Sequence, residues 1–257
     1  MSQPFRLNKE GLINRNKKIS FTFNGKKLFG YEGDTIASAL IANGIHLVGR
    51  SFKYHRPRGF FGAGVEEPNA KLQVEFNGHS EPNVNATEME LVEGLSATSQ
   101  NCWPSVNFDI GAINNFLKMF FPAGFYYKTF MWPKSFWYKI YEPFIRKAAG
   151  LGVASIEKDK ERYEHKFEYC DLLVTGSGPS GLASAYAAAK NGAKVILAED
   201  KPRFGGTLLT DDVSIDNLSG KDWAEKIITE LKSMPNVTVK NRSQVFGYYD
   251  HNMLVMF

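Results

Sequence analysis

The sequence predicts a mixed α/β (α+β) fold of two domains, and three patterns support this prediction. Near the N-terminus, alternating apolar and polar residues on either side of a tight turn are typical of a β-hairpin, and a short helical stretch follows. Between residues 171 and 199, a strand-like run, a glycine turn, an alanine-rich helical stretch and a second strand-like run follow one another. The segment between these regions is aromatic and interrupted by prolines. We therefore expect domains at 1–105 and 169–257, joined by an aromatic helical connector and linker at 106–168.

The N-terminal domain is predicted from its first elements. Residues 18–31 alternate as a hairpin whose turn is Asn24-Gly25, the preferred pair for a two-residue turn. A helix is expected at 36–42, and further strands at 71–76 and 88–93. A hairpin followed at once by a helix is the opening of a β-grasp domain, so we expect a β-grasp, ferredoxin-like domain.

The glycine motif Gly176-Ser177-Gly178-Pro179-Ser180-Gly181 predicts a dinucleotide site in a partial Rossmann-like FAD/NAD-binding domain. In such a motif Gly176 allows a tight turn, Gly178 lets backbone approach a pyrophosphate, and Gly181 lets the helix pack on the strand. The helix N-terminus attracts phosphates. Glu199 ends the second strand, where a carboxylate can accept both ribose hydroxyls. Close packing alone would explain the glycines but not this acid.

The residues after Glu199 extend the candidate site with a second glycine turn. A 2′-phosphate beside the carboxylate would be repelled, so NADP is disfavoured, whereas NAD and FAD stay nearly equal on the residues alone. No side chain is predicted to be catalytic or to bind a metal. The candidate cofactor-binding residues are Gly176, Ser177, Gly178, Pro179, Ser180, Gly181, Glu199, Asp200, Lys201, Arg203, Gly205, Gly206 and Thr207.

Composition narrows the function classes. A net charge of +4 is too small to indicate nucleic-acid binding, and no apolar run of membrane-spanning length is present. Two cysteines, Cys102 and Cys170, with no secretory signal, favour a reducing compartment, so we expect a cytoplasmic protein. The basic stretch Arg50–Arg58 is open to three interpretations, a solvated turn, a phosphate contact or a subunit interface.

The connector is unusually aromatic. Three prolines divide residues 116–145 into short pieces, which excludes one sustained amphipathic helix at a membrane surface. We expect it to pack between domains rather than to form a cofactor wall. Its aromatic residues are Phe116, Phe120, Phe121, Phe125, Tyr126, Tyr127, Phe130, Trp132, Phe136, Trp137, Tyr138, Tyr141 and Phe144, with Lys118, Lys128, Lys134 and Lys139 between them.

Three stretches carry a resemblance to a known family. They are residues 44–59 (GIHLVGRSFKYHRPRG), residues 121–133 (FPAGFYYKTFMWP) and Tyr163-Glu164-His165. With the glycine motif, they resemble the N-terminal part of the alpha subunits of heterotetrameric sarcosine oxidases. Such an alpha subunit would continue well past residue 257, so the resemblance implies an incomplete subunit, inactive alone.

The resemblance implies an oxidoreductase complex that oxidises sarcosine to glycine and reduces oxygen to peroxide. It also implies that tetrahydrofolate captures the one-carbon product. The expected partners are small gamma and delta subunits together with a flavin-binding beta subunit, with sarcosine and tetrahydrofolate bound only by the complete complex. The resemblance further implies NAD in the alpha-subunit site, with FMN and FAD elsewhere in the assembly. No iron–sulfur cluster is expected, because the loop 59–70 and residues 84–87 contain no cysteine.

Two alternatives stay open. The chain could be the alpha subunit of a related amine, proline or opine dehydrogenase, with FAD in the same site. It could also be a non-catalytic NAD-binding scaffold that holds other subunits together.

Overall fold

The computed structural model describes residues 3–9, 11–121, 123–124, 130–158 and 162–257. The chain divides into two compact units, Met1–Glu161 and Arg162–Phe257.

The first unit is built on a five-stranded sheet. Its strands lie in the order β2-β1-β7-β5-β6, with β1 and β7 parallel and the other neighbours antiparallel. A two-stranded ribbon, β3 with β4, lies outside this sheet. The elements are β1 (Asn14–Phe23), β2 (Lys26–Glu32), α1 (Ile36–Ala42), β3 (Gly49–Arg50), β4 (Pro57–Arg58), β5 (Lys71–Phe76), β6 (His79–Asn85) and β7 (Ser96–Ser99).

The predicted hairpin and helix are both observed. Alternation in β1 places Ile19, Phe21 and Phe23 in the core, beside apolar side chains of α1. The helix begins after Thr35, whose hydroxyl accepts a hydrogen bond from the backbone N–H of Ser38 in a reciprocal capping box. The strand predicted at 71–76 is also present.

The prediction of a strand at 88–93 is wrong, because the structure describes these residues and has no strand there. The backbone bonds of this segment go to the start of α1: the N–H of Ile36 donates to the carbonyl of Met89, and that of Leu91 donates to the carbonyl of Asp34. The edge strand β6 has the largely polar sequence HSEPNVN and was not predicted, because its side chains are at most half-buried and do not alternate. β7 was not predicted either.

The second unit contains a three-stranded parallel sheet in the order β12-β9-β8. Helices connect both pairs, and their apolar faces form one core with the strands. The elements are β8 (Leu172–Thr175), α3 (Pro179–Lys190), β9 (Val195–Ala198), β10 (Ser214–Ile215), β11 (Leu218–Ser219), α4 (Gly220–Ser233), β12 (Val237–Lys240), β13 (Val245–Tyr249) and β14 (Met253–Met256).

The connector consists of short helical pieces, as its prolines predict. It contains 3₁₀ turns at Ile110–Asn115, Lys118–Phe120 and Lys134–Phe136, a π turn at Trp137–Tyr141 and the helix α2 (Glu142–Ala149). The connector residues Phe125, Tyr126, Tyr127 and Lys128 lie outside the described residues. Over the described ranges, every helix is too short or too polar to cross a bilayer.

Candidate functional site

The glycine motif lies where β8 ends and α3 begins. The N–H of Gly176 donates to the carbonyl of Ala198 at 2.7 Å, which joins the carboxyl ends of β8 and β9. Gly176 has a φ of +90°, in the left-handed region that glycine favours. Gly178 is the N-cap of α3, and Pro179 occupies its first turn. Within the described residues no side chain caps this helix, so its first N–H groups have no side-chain acceptor.

Gly178 and Gly181 differ in how much space surrounds the position of a Cβ atom. A Cβ on Gly181 would lie 2.0 Å from the carbonyl oxygen of Gly176, so this glycine is required for packing of helix on turn. A Cβ on Gly178 would meet no described atom within 4 Å, and its φ of −63° suits any residue. Neither packing nor backbone conformation therefore explains glycine at position 178.

Glu199 follows β9 and turns toward the glycine motif. It is 5% exposed. Its Oε2 accepts hydrogen bonds from the backbone N–H of Ser177 at 2.8 Å and from the Ser177 hydroxyl. Its Oε1 accepts from the backbone N–H of Lys201 at 3.0 Å. The sheet thus brings together two groups that lie 22 residues apart.

The second glycine turn packs on the first. The N–H of Gly205 donates to the carbonyl and to the hydroxyl of Ser177, at 3.1 Å each. A Cβ on Gly206 would come within 2.9 Å of the Cα of Gly178, and the φ of +54° at Gly206 also favours glycine. The two turns pack together into one cradle of backbone.

The other candidate residues lie around this cradle. Pro179 and Ser180 are exposed on the first turn of α3, Thr207 is exposed after the second turn, and Arg203 is half-buried. Burial raises the pKa of Asp200, but its hydrogen bond with Glu199 and the nearby Lys201 ammonium outweigh burial and leave that pKa below its ordinary value. Lys201 Nζ lies 3.3 Å from Asp200 Oδ2, so this lysine pairs with the acid.

The basic stretch in the first unit is used for internal contacts. The Arg50 guanidinium donates to the carbonyl of Val106 at 2.7 and 2.9 Å. His55 Nδ1 lies 2.7 Å from Asp109 Oδ2, and both side chains are buried. Asp109 Oδ1 accepts from the N–H groups of Trp103 and Gly111. Sequence reasoning did not find this pair, because 54 residues separate its members.

Sequence reasoning also missed the role of Glu67. Its carboxylate is 1% exposed and accepts four backbone N–H groups at 2.5–3.2 Å, from Phe61, Gly62, Asn69 and Ala70. Burial raises the pKa of Glu67, but the four N–H groups outweigh burial, so its pKa lies below the ordinary 4.5. The carboxylate therefore closes the loop 59–70.

Two family matches agree with the division into units. Residues 16–102 match a family described as a 2Fe-2S iron-sulfur cluster binding domain. Residues 171–243 match a family described as FAD dependent oxidoreductase. The chain therefore has a ferredoxin-like N-terminal domain and a domain of the FAD-dependent oxidoreductase type.

Curated relatives match nearly the whole chain. It is 56% identical over 249 residues to a sarcosine oxidase alpha subunit of Rhizobium meliloti, covering 97% of this chain and 25% of the relative. It is 32% identical over 263 residues to the corresponding protein of a Corynebacterium species, covering 99% and 22%. The chain thus spans about a quarter of the length of these relatives. A crystal structure of L-proline dehydrogenase from P. horikoshii shares the fold, with a TM-score of 0.58 at 18% identity over 99% of this chain and 38% of that one.

These findings correct the cofactor prediction. NAD has no support from them, since the second domain is of the FAD type. The expectation that no iron–sulfur cluster is present is also wrong. The first family match contradicts it, because that family is described as binding a 2Fe-2S cluster.

The residues of this chain supply few ligands for an iron–sulfur cluster. Such clusters are held by four cysteine thiolates, and between residues 16 and 102 the sequence has one cysteine, Cys102. Burial raises the pKa of the Cys102 thiol, and the neighbouring Asp109 carboxylate adds to the effect. The donor set of this chain therefore does not fit a four-thiolate site.

The predicted resemblance is confirmed by matches to sarcosine oxidase alpha subunits from two genera, each over nearly the whole of this chain. Nearly the whole chain is thus similar to the N-terminal quarter of sarcosine oxidase alpha subunits.

Proposed function

We propose that this chain is the part of a sarcosine oxidase alpha subunit that holds the adenosine diphosphate portion of FAD, in a Rossmann-like domain. The assembly is then an oxidoreductase that acts on the CH–NH bond of sarcosine. Its products are glycine, a one-carbon unit passed to tetrahydrofolate, and hydrogen peroxide. The flavin supplies the acceptor for the electrons of the C–H bond, and this chain supplies binding and orientation.

The observation that carries the proposal is the open space at Gly178. A ligand that approaches the backbone itself accounts for a glycine whose Cβ would have met no described atom and whose φ is ordinary. A pyrophosphate is such a ligand, because uncapped N–H groups at the start of a helix and its partial positive charge attract anions. The candidate residues Gly176 to Gly181, Gly205 and Gly206 surround this position.

Glu199 extends the site toward the ribose. Its carboxylate follows β9 beside the glycine motif, the position from which such an acid accepts ribose hydroxyls. Asp200, Lys201, Arg203 and Thr207 are proposed to line the adenosine side of the same cradle.

Exposed apolar side chains support a role within a multi-subunit complex. Large apolar side chains left in solvent are typical of surface that another protein covers. We propose small gamma and delta subunits together with a flavin-binding beta subunit as partners, and the cytoplasm as the location. Strongly exposed apolar residues of the connector include Phe116, Met119, Phe120, Trp132 and Tyr138.

Calorimetric titration of Gly178→Ala with ADP and with FAD tests the proposal. The added methyl meets no described atom, so the melting temperature should not change, while affinity for both ligands falls at least tenfold. Gly49→Ala is the matched control, because its Cβ would make ordinary contacts at 3.7 and 3.8 Å in the first unit. Undiminished affinity in Gly178→Ala would contradict the proposal.

A second candidate has support from one match. The chain is 33% identical over 85 residues to an opine oxidase component of Agrobacterium tumefaciens, covering 31% of this chain and 17% of that one. We therefore also consider the alpha subunit of a related amine-oxidising complex with FAD in the same site. Oxygen consumption by the complete complex with sarcosine and with an opine distinguishes the two.

A further inference from the structure

Ser177 is buried between three segments of the proposed FAD site. Its side chain is fully buried, and it is the second residue of the glycine motif. Its backbone N–H and its hydroxyl both contact Glu199 Oε2. Its hydroxyl and its carbonyl both contact the N–H of Gly205. Ser177 therefore links the first turn, the acid and the second turn.

The direction of the hydroxyl bonds follows from the partners. The Gly205 N–H can only donate, so the hydroxyl accepts there. Its single proton is then free for Glu199, and a carboxylate without a proton can only accept. The hydroxyl therefore links the carboxylate to the second turn and fixes the position of one relative to the other. Loss of the hydroxyl would remove one of the two donors that hold Oε2, and with it the link to the second turn, while Oε1 keeps the Lys201 N–H.

We infer that Ser177 is a positioning residue, whose hydroxyl aims Glu199 at the ribose diol and so sets the preference for an adenine nucleotide with a free 2′-hydroxyl. The inference rests on the proposed function, because it needs an adenine nucleotide in this cradle. It assigns the pyrophosphate to backbone and the diol to Glu199. The two contacts are therefore separable by mutation.

The test compares ADP with 2′-deoxy-ADP by calorimetry on the full chain. Wild type should bind ADP at least tenfold more tightly, because the deoxy compound leaves the carboxylate without its partner. In Ser177→Ala this ratio should fall below about threefold, while 2′-deoxy-ADP binds as it does to wild type. Loss of packing alone would weaken both ligands equally. Ser184→Ala, on the exposed face of α3, is the matched control and should keep the wild-type ratio.

The outcomes of this titration distinguish failure of the inference from failure of the proposed function. A ratio that stays at tenfold in Ser177→Ala overturns the inference and leaves the proposed function standing. Failure of wild type to bind either nucleotide overturns the proposed function, and the inference with it. If Ser177→Ala does not fold, Ser177→Cys keeps the volume and replaces the hydroxyl by a weak donor. That variant should also lose the preference, and retention of tenfold discrimination would overturn the inference.

Discussion

Replacing Glu67 by glutamine should strongly destabilise the first unit. The substitution keeps the shape of the side chain but turns one carboxylate oxygen into an NH₂ group and removes the charge. Whichever oxygen is replaced, two backbone N–H groups then face another donor, either Phe61 and Gly62 or Asn69 and Ala70. Glu67→Gln is therefore a sharper test than truncation.

The magnitude follows from the lost bonds. A hydrogen bond to a charged group contributes about 1.5–3 kcal/mol, so two such bonds amount to about 3–6 kcal/mol. A domain of this size is stable by about 5–15 kcal/mol, so the variant should unfold at a much lower urea concentration. Glu66→Gln is the matched control: its Oε1 also accepts two backbone N–H groups, but the side chain is exposed, and water replaces the lost bonds.

Hydrogen-exchange mass spectrometry across a urea titration reports on each unit separately. Peptides from residues 14–99 should lose protection at lower urea in Glu67→Gln, while peptides from residues 172–240 should not change. Unfolding of the first unit at the wild-type urea concentration would refute the reasoning, because it would mean that the carboxylate does not stabilise the loop.

The same carboxylate predicts a pH dependence. The pKa of Glu67 is lowered in the folded protein, so the folded state binds this proton less readily than the unfolded state. Its stabilising contribution is full above about pH 4.5 and is lost as the pH falls through the lower folded-state pKa. The wild-type free energy of unfolding should therefore fall more steeply below pH 4.5 than that of Glu67→Gln. Parallel pH profiles would contradict this assignment.

Three further changes test other contacts. Gly181→Ala should lower the melting temperature of the second unit, since its Cβ would lie 2.0 Å from the Gly176 carbonyl, and unchanged stability would contradict the packing role. Asp109→Ala should destabilise the first unit by about 1–3 kcal/mol, because it leaves His55 buried without its partner. Urea denaturation measures this change, and an unchanged free energy of unfolding would mean that the pair does not stabilise the unit. Glu199→Ala should weaken ADP binding at least tenfold by calorimetry, and unchanged binding would place the ribose elsewhere.

Local patterns made much of the fold predictable. The Asn24-Gly25 turn, the capped helix at 36–42 and the strand at 71–76 depend on residues close together in sequence, and all three are observed. β6 was missed because an edge strand with half-exposed side chains need not alternate. The strand predicted at 88–93 failed because its N–H and carbonyl groups bond to α1, which apolar spacing alone does not reveal.

The candidate site shows the same limit. The position of the glycine motif between β8 and α3 was predictable because strand, turn and helix are local in the chain, whereas its role and that of Glu199 in binding stay predictions. The contrast between Gly178 and Gly181 was not, since it depends on which atoms surround each Cα. The contacts of Ser177 with Gly205, and of Glu67 with its loop, also depend on distances that the sequence does not contain.

Amide NMR mapping of FAD binding to the full chain tests the central claim most directly. The account predicts that FAD shifts the backbone resonances of residues 176–181, 199–201 and 205–207, that ADP shifts the same set, and that resonances of residues 14–99 do not move. Shifts confined to other residues, or saturating ADP with no shift in the glycine motif, would contradict the claim that this cradle holds the adenosine diphosphate portion of FAD.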